Sequence, residues 1–367
     1  MTSSCKRAGR NVYAVILAGG KGERLYPLSR KGFPKQNIRF FSGQTLLEGT
    51  IRRAHDLAGR RIYLVTNGES FASAPPSARA LGPKRVIIEP QGRNTTTAIA
   101  TVSTVAFAKN EDSVLVVMPS DHIISGEGAF CKAVRRAVRE AERTECIITL
   151  GIIPGVPKIS YGYIETQEAR GGKNRKGSLS VARFIEKPKE QKARNLIKSK
   201  RVFWNSGIFI FKSSVMLSLL ARHMPGLAKS LEALPPMREK KLFRTALKNV
   251  YRKARSISID YALLEKTKDI RVVPARFGWN DVGSFSSIHE FLDKDSRGNA
   301  AVGNHLGIGT SGCMIFSDKD SLIATIGIKD IAVVKAGRTV LVCDKGRSED
   351  VRGIVSLIKK KKLGRFL

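Results

Sequence analysis

The stretch Val12-Tyr13-Ala14-Val15-Ile16-Leu17-Ala18-Gly19-Gly20-Lys21-Gly22-Glu23-Arg24 decides how the rest of the chain is read. Its first seven residues are apolar, the pattern of a strand buried on both faces. They run directly into a loop with three glycines, where backbone N–H groups can approach a phosphate closely. A Walker A loop would end in Gly-Lys-Ser/Thr, and a dinucleotide fingerprint would place glycine where Leu25 stands, so the loop is neither. Tyr26-Pro27-Leu28-Ser29-Arg30 and Phe33-Pro34-Lys35-Gln36 follow, adding two prolines that stiffen the segment and a lysine held close to it.

Similar apolar runs recur at Arg61 to Thr66, Arg85 to Glu89, Val114 to Met118 and Cys146 to Ile152. Helical patterns lie between them at Leu46 to Ala58, Thr95 to Lys109 and Gly128 to Arg143. The alternation predicts βα units, an α/β fold and a largely parallel sheet. In such a sheet ligands collect beyond the carboxyl ends of the strands, so chemistry is sought just after each run. Val114 to Met118 leads into Pro119-Ser120-Asp121-His122, which places the Asp121 carboxylate at that edge. Asp121 also fits an N-cap, and Asn280-Asp281-Val282-Gly283 is turn chemistry as well as a source of a second carboxylate. The polar stretch Ala169 to Ser178 reads as an exposed loop.

The chain has 367 residues, 42% of them hydrophobic, enough for one large α/β domain and a smaller one. Arg297-Gly298-Asn299 marks the boundary, giving domains 1–296 and 297–367. Beyond it helical periodicity stops and short strands are expected at Gly312 to Phe316, Ser321 to Ile326, Ile331 to Lys335 and Val340 to Cys343, which could form coils of a β-solenoid. A final helix is expected with Ser348 as N-cap and Val351, Ile354, Val355 and Ile358 on one face.

Composition sets further bounds. Five scattered cysteines without a C-x-x-C pair suggest neither a disulfide framework nor a zinc site, and a reducing cytoplasm fits them best. Lys6, Arg7 and Arg10 precede the first apolar run as in a secretory leader, but that run is required as a strand. No apolar stretch reaches the ~20 residues of a membrane helix, so no membrane partner is expected. The net charge of +34 attracts nucleic acid, anionic membranes and phosphorylated substrates alike. Its cations are scattered, with Lys359 to Lys362 the one pure run, as in a solvated basic surface, and no specific nucleic acid is expected.

Leu17-Ala18-Gly19-Gly20-Lys21-Gly22-Glu23-Arg24-Leu25-Tyr26-Pro27-Leu28-Ser29-Arg30, continued by Phe33-Pro34-Lys35-Gln36, resembles the signature of the sugar-nucleotide pyrophosphorylases, and its Pro-Leu-Ser-Arg and Pro-Lys-Gln elements resemble the mannose-1-phosphate guanylyltransferase branch. The resemblance extends over essentially the whole chain and implies a Rossmann-like nucleotidyltransferase sheet with helices on both faces, followed by a partial β-helix. It implies that Leu17, Ala18, Gly19, Gly20, Gly22 and Ser120 hold the nucleotide together with Glu89, Arg93 and Asn94 of the Glu-Pro-x-x-Arg-Asn-Thr stretch, while Arg24 and Lys35 contact its phosphates. It further implies that Asp121 and Asp281 bind Mg2+, a hard ion suited to one or two carboxylates plus phosphate oxygens.

Tyr161-Gly162-Tyr163-Ile164-Glu165, Phe184-Ile185-Glu186-Lys187-Pro188 and Trp204-Asn205-Ser206-Gly207 resemble the family's sugar half. This assigns Gly162, Glu165, Glu186 and Asn205 to the sugar and Lys187 to its phosphate. Ser258-Ile259-Asp260-Tyr261-Ala262 belongs to the resemblance as scaffold. Thr96 and Thr97 depart from an expected Ala-Pro, which leaves the base contacts open.

The implied activity is condensation of GTP with mannose 1-phosphate to GDP-mannose and diphosphate, by a homodimer. Two other readings fit the residues: transfer between another sugar 1-phosphate and nucleotide, or a non-catalytic regulatory or nucleic-acid-binding module on the same scaffold. The retained set Arg24, Lys35, Asp121, Lys187 and Asp281 argues against the second. Five dispersed histidines without a ligand cluster lead to the expectation of no isomerase activity, found in longer relatives.

Overall fold

A computed structural model describes residues 7–20, 22–41, 43–111, 113–167 and 177–367. Its centre is a nine-stranded sheet built from β1 (Val12–Ala18), β2 (Ile62–Asn67), β3 (Val86–Glu89), β4 (Val114–Pro119), β5 (Ile147–Ile152), β6 (Gly162–Thr166), β7 (Leu179–Glu186), β8 (Val202–Lys212) and β9 (Ile270–Ala275). The spatial order is β3-β2-β1-β4-β8-β5-β9-β7-β6. The first four strands in this order are mutually parallel, as are β5 and β9, whereas β8 and β7 run antiparallel to their neighbours. The chain moves outward from β1 to β3 and then returns to pair β4 on the other side of β1. That reversal opens a crevice beyond the carboxyl ends of β1 and β4.

Side chains alternate across the sheet as the strand period demands. Ala14, Ile16 and Ala18 of β1 pack under the helices Leu46–Ala58 and Glu127–Arg143, while Val15 faces a second core built with Asn94–Phe107, Ser213–His223 and Lys240–Lys253. The first of these helices starts at a capping box in which Glu48 N donates to Thr45 Oγ1 at 3.1 Å and Thr45 N to Glu48 Oε2 at 2.8 Å. It stops at Gly59, in the left-handed region at φ 61°. In the buried helix Asn94–Phe107 the hydroxyls of its second half return hydrogen bonds to the preceding turn, as Thr101 to Thr97 O and Ser103 to Ile99 O, each at 2.8 Å. Thr96, one of the two departures from the family pattern, donates instead to Ile257 O at 2.8 Å and ties this helix to the segment before Asp260.

After Leu292 the chain forms short strands that stack in parallel, Ala300–Val302 on Met314–Phe316 on Ile331–Ala336, and Asn304–Ile308 on Leu322–Ile326. This is the expected solenoid-like tail, closed by the antiparallel strand Thr339–Asp344. Its inner residues Met314, Val334, Leu341, Val351 and Val355 share one core with Leu25, Tyr26 and Leu28 of the signature segment. The tail is thereby fixed against the loop that opens the chain.

Several expectations are corrected. A 3-10 helix, Lys345–Asp350, precedes the final helix and is capped by Asp344, whose carboxylate accepts from Gly346 N and Arg347 N, and Ser348 within it is instead a buried acceptor for Ser286 N at 3.2 Å. In the helix Val351–Lys360, Val351 and Val355 are buried but Ile354 is exposed. Cys131 is disulfide-bonded, whereas Cys146, Cys313 and Cys343 are free thiols. The stretch Ala169 to Ser178 lies largely outside the described residues, as do Cys5, Lys6 and Lys21. Among the described residues no helix is long and apolar enough to cross a membrane.

Candidate active site

A cleft of about 470 Å³ lies at the crevice, and Leu17, Gly19, Gly20, Arg24, Glu89, Arg93, Asn94, Ser120, Asp121, Gly162, Glu186, Lys187, Asn205 and Asp281 all line it. Leu17 and Ser120 meet at its floor, where Ser120 N donates to Leu17 O at 3.0 Å. At Gly20 a side chain would find open space, while a Cβ on Gly19 would come 2.8 Å from Glu89 Oε2. The loop therefore leaves room above Gly20 and rests on Glu89 below. Burial raises the Glu89 carboxyl to about 7, and the hydrogen bond from Tyr251 Oη, 3.1 Å long, opposes that rise.

Gly22 turns the loop at φ 67°, and a Cβ there would lie 2.5 Å from Lys35 Cβ. The glycine thus lets the short 3-10 helix Lys35–Asn37 of the signature pack close beneath it. Gly22 and Lys35 line an adjoining cavity of about 280 Å³ that shares Arg24, Asp121 and Asp281 with the cleft. Lys35 is buried there and donates to Asp121 Oδ2 at 2.8 Å and to the Asp281 carbonyl. Burial would push the Asp121 carboxyl up, but Lys35, His122 and the hydrogen bond from Lys35 outweigh it and hold it below the ordinary range. His122 is itself held by burial below the ordinary imidazole range, and its Nδ1 accepts from Trp279 Nε1 at 3.2 Å. His122 lines the cleft beside Asp121, with its ring held by Trp279.

Asp281 follows the short strand Gly278–Asn280, and both predicted features of it coexist. Its Oδ1 accepts from Gly283 N at 3.0 Å, a local turn, while the residue also lines the cleft. The next residue, Val282, is fully buried at φ 52°, a conformation that β-branched residues rarely adopt. Such a backbone persists only when its surroundings hold it, and it occurs beside functional groups more than elsewhere. The Lys35 ammonium joins an Asp121 carboxylate oxygen to the Asp281 backbone carbonyl, and both acidic residues line the cleft and the adjoining cavity. Among the described residues no group of three or more His, Cys, Asp or Glu could hold a metal ion. Asp121 and Asp281 line the cleft together, and a pair of carboxylates of this kind would suit a hard divalent ion.

On the other side of the cleft, Glu186 lies across Gly162, where a Cβ would come 2.6 Å from Glu186 Oε2. Lys187, at φ 44°, donates to Glu186 Oε1 at 2.6 Å. Asn205 Nδ2 donates to Asp260 Oδ1 at 3.0 Å. Asp260 opens a single π-helical turn, Asp260–Leu264, and lines the cleft rather than serving as remote scaffold. Its carboxyl is raised by burial and by neighbouring Glu186. Tyr161 and Trp279, also missed in the sequence, stack edge to face at 4.9 Å and form the cleft wall.

Two expected residues stand elsewhere. Glu165 is three positions from Gly162 on β6, so strand alternation turns it to the opposite face, where it pairs with Arg183 at 2.6 Å. The Ala18 carbonyl accepts from Gln36 Nε2 at 3.1 Å and Thr66 Oγ1 at 2.8 Å, so Ala18 braces the loop without lining the cleft. Gln36, which does line it, is the residue this geometry adds from the same motif.

A glycine loop at a sheet switch point, sharing its cleft with two carboxylates and a polar subsite, is the arrangement of a nucleotidyltransferase. The sequence matches the nucleotidyl transferase family over residues 13–298 and the MannoseP isomerase/GMP-like beta-helix domain over residues 303–358. Mannose-1-phosphate guanylyltransferase of Escherichia coli K12 is 33% identical over 96% of this chain and 74% of its own length. That of Salmonella montevideo is 35% identical over 94% of this chain and 73% of its own. The crystal structure of mannose-1-phosphate geranyltransferase from Thermus thermophilus superimposes with a TM-score of 0.84 at 33% identity, covering 95% of this chain and 99% of that one. The chain belongs to the nucleotidyl transferase family, in its mannose-1-phosphate guanylyltransferase branch, and is an enzyme of that class.

Proposed function

We propose that the chain joins GTP to mannose 1-phosphate, forming GDP-mannose and pyrophosphate. The observation that carries this reading is the cleft in which the glycine loop and the Gly162–Glu186–Asn205 subsite face each other across Asp121 and Asp281. Leu17, Gly19, Gly20, Glu89, Arg93, Asn94 and Ser120 are assigned to the nucleotide. Gly162, Glu186, Asn205 and Asp260 are assigned to sugar hydroxyls and Lys187 to the sugar phosphate. The sugar phosphate oxygen bonds to the α-phosphorus of GTP as the bond to the bridging oxygen breaks, and pyrophosphate leaves with that electron pair.

No side chain need act as nucleophile. Arg24 and Lys35 offset charge on the departing phosphates, and the cleft walls align the two substrates. Nucleotidyl transferases generally use a divalent metal. We assign Mg2+ to Asp121 and Asp281, where it would neutralise phosphate charge when bound. We also propose a domain division of 1–296 and 297–367, a cytoplasmic location, where nucleoside triphosphates are made, and a homodimer. The outward apolar side chains Leu306, Ile308, Leu322 and Ile326 support the dimer.

The test is pyrophosphate release across GTP, ATP, UTP, CTP and dTTP, each with mannose 1-phosphate and glucose 1-phosphate, with and without Mg2+. Preference for GTP with mannose 1-phosphate is expected. Asp121→Ala and Asp281→Ala should each remove Mg2+-dependent turnover while the fold is retained. Release from another pair would change the substrates, and no release from any pair would refute the enzymatic reading.

A further inference from the structure

We infer that Arg352, supplied by the C-terminal tail, is a third cation for the pyrophosphate end of the active site. The inference rests on the proposed nucleotidyl transfer and assigns a residue outside the nucleotidyl transferase match at 13–298. Arg352 is exposed and lines the 280 Å³ cavity that also holds Arg24, Lys35, Asp121 and Asp281. It stands on the helix Val351–Lys360, whose neighbours Val351 and Val355 are buried in the core shared with Leu25, Tyr26 and Leu28. The guanidinium therefore projects from a fixed base.

The charge balance of this cavity shows what the arginine can do. Lys35 is committed to Asp121. Glu23, on the loop, is neutralised by Lys359 at 3.0 Å. Residues 352 and 359 are two helical turns apart and lie on one flank of the helix, so one element both silences the loop's carboxylate and presents a cation. Neither the Arg24 nor the Arg352 side chain makes a hydrogen bond or ion pair among the described residues. Two unpaired guanidinium groups thus face a cavity that opens beside the carboxylates and away from the sugar subsite. A leaving group with several phosphate oxygens is the ligand whose charge and multiple acceptors suit them, since a guanidinium donates two parallel hydrogen bonds to such a group.

The experiment is pyrophosphorolysis of GDP-mannose by the full chain, with the KM for pyrophosphate and the KM for GDP-mannose measured separately. Arg352→Ala should raise the KM for pyrophosphate about tenfold, the equivalent of ~1.4 kcal/mol and at the low end for a hydrogen bond to a charged group. The KM for GDP-mannose should stay within about twofold of wild type, because that substrate lacks the leaving group. Arg352→Lys should restore part of the loss. Lys360→Ala, which removes a cation from the same helix outside the cavity, should have no effect. An unchanged pyrophosphate KM in Arg352→Ala, or an equal rise in Lys360→Ala, would overturn the role of Arg352 while leaving the activity standing. Absence of pyrophosphorolysis in the wild-type chain with every nucleotide sugar tried would refute the transferase reading, and the role of Arg352 with it.

Discussion

Replacing Glu89 by glutamine should flatten the dependence of stability on pH. Burial lifts this carboxyl from the 4.5 of an unperturbed glutamate to about 7. At 1.36 kcal/mol for each pH unit, that rise corresponds to about 3 kcal/mol. The unfolded chain gives up the proton above 4.5, whereas the folded chain holds it until about 7. The associated stabilisation is therefore complete below pH 4.5, declines across the interval and is lost above pH 7.

Glutamine stays neutral throughout and can still accept the Tyr251 hydrogen bond. Urea denaturation of both proteins from about pH 4.5 to about pH 8 should show Glu89→Gln gaining on wild type by up to about 3 kcal/mol as pH rises. In Tyr251→Phe the hydrogen bond that opposes the upward shift is gone, so the wild-type decline should move to higher pH. A difference between wild type and Glu89→Gln that is constant across this range would refute the assignment of a buried, late-titrating carboxyl beneath the glycine loop.

Gly162→Ala should raise the KM for the sugar phosphate by roughly tenfold, ~1.4 kcal/mol, with the nucleotide KM unchanged. The added Cβ meets Glu186 Oε2 at 2.6 Å and must move it, and steady-state kinetics with each substrate varied in turn separates the two effects. Ser284→Ala should cost about 1 kcal/mol in urea denaturation, because Ser284 and Ser287 form the reciprocal cap of the helix Phe285–Phe291 that follows Asp281.

The strands that build the crevice were legible because parallel strands covered on both faces read as unbroken apolar runs, and β1 to β5 end within a residue or two of where those runs do. The same coverage concealed which residues face the ligand. On β6 both faces are buried, so nothing in Tyr161-Gly162-Tyr163-Ile164-Glu165 tells which parity points to the cleft. The pattern pointed to Glu165, yet the structure turns it away and brings in Asp260 from a distant π-helical turn. Ser348 failed as a cap because it lies within a 3-10 helix, Lys345–Asp350, that Asp344 caps ahead of the final helix, and its hydroxyl accepts from Ser286 N instead. Arg352 carried no signal at all: in a chain of net charge +34 one more arginine is unremarked until the tail packs against the signature segment.

The paired charges at the site constrain how it is filled. Lys35 is buried against Asp121, Lys187 lies on Glu186, and Lys359 on Glu23. A buried lysine without a counterion is costly, and Asp121, together with the Asp281 carbonyl, offsets that cost for Lys35. If nucleotide phosphates draw on Lys35, as the proposed mechanism has it, Asp121 loses its partner and needs another positive charge. A triphosphate arriving alone would leave that carboxylate unpaired in a partly buried site, whereas one arriving with a divalent cation exchanges one set of pairs for another. On the proposed mechanism, the need for a metal would follow from the Lys35–Asp121 pair as much as from the chemistry of the leaving group. Arg24 and Arg352, whose side chains pair with no carboxylate among the described residues, would meet phosphate without any such exchange.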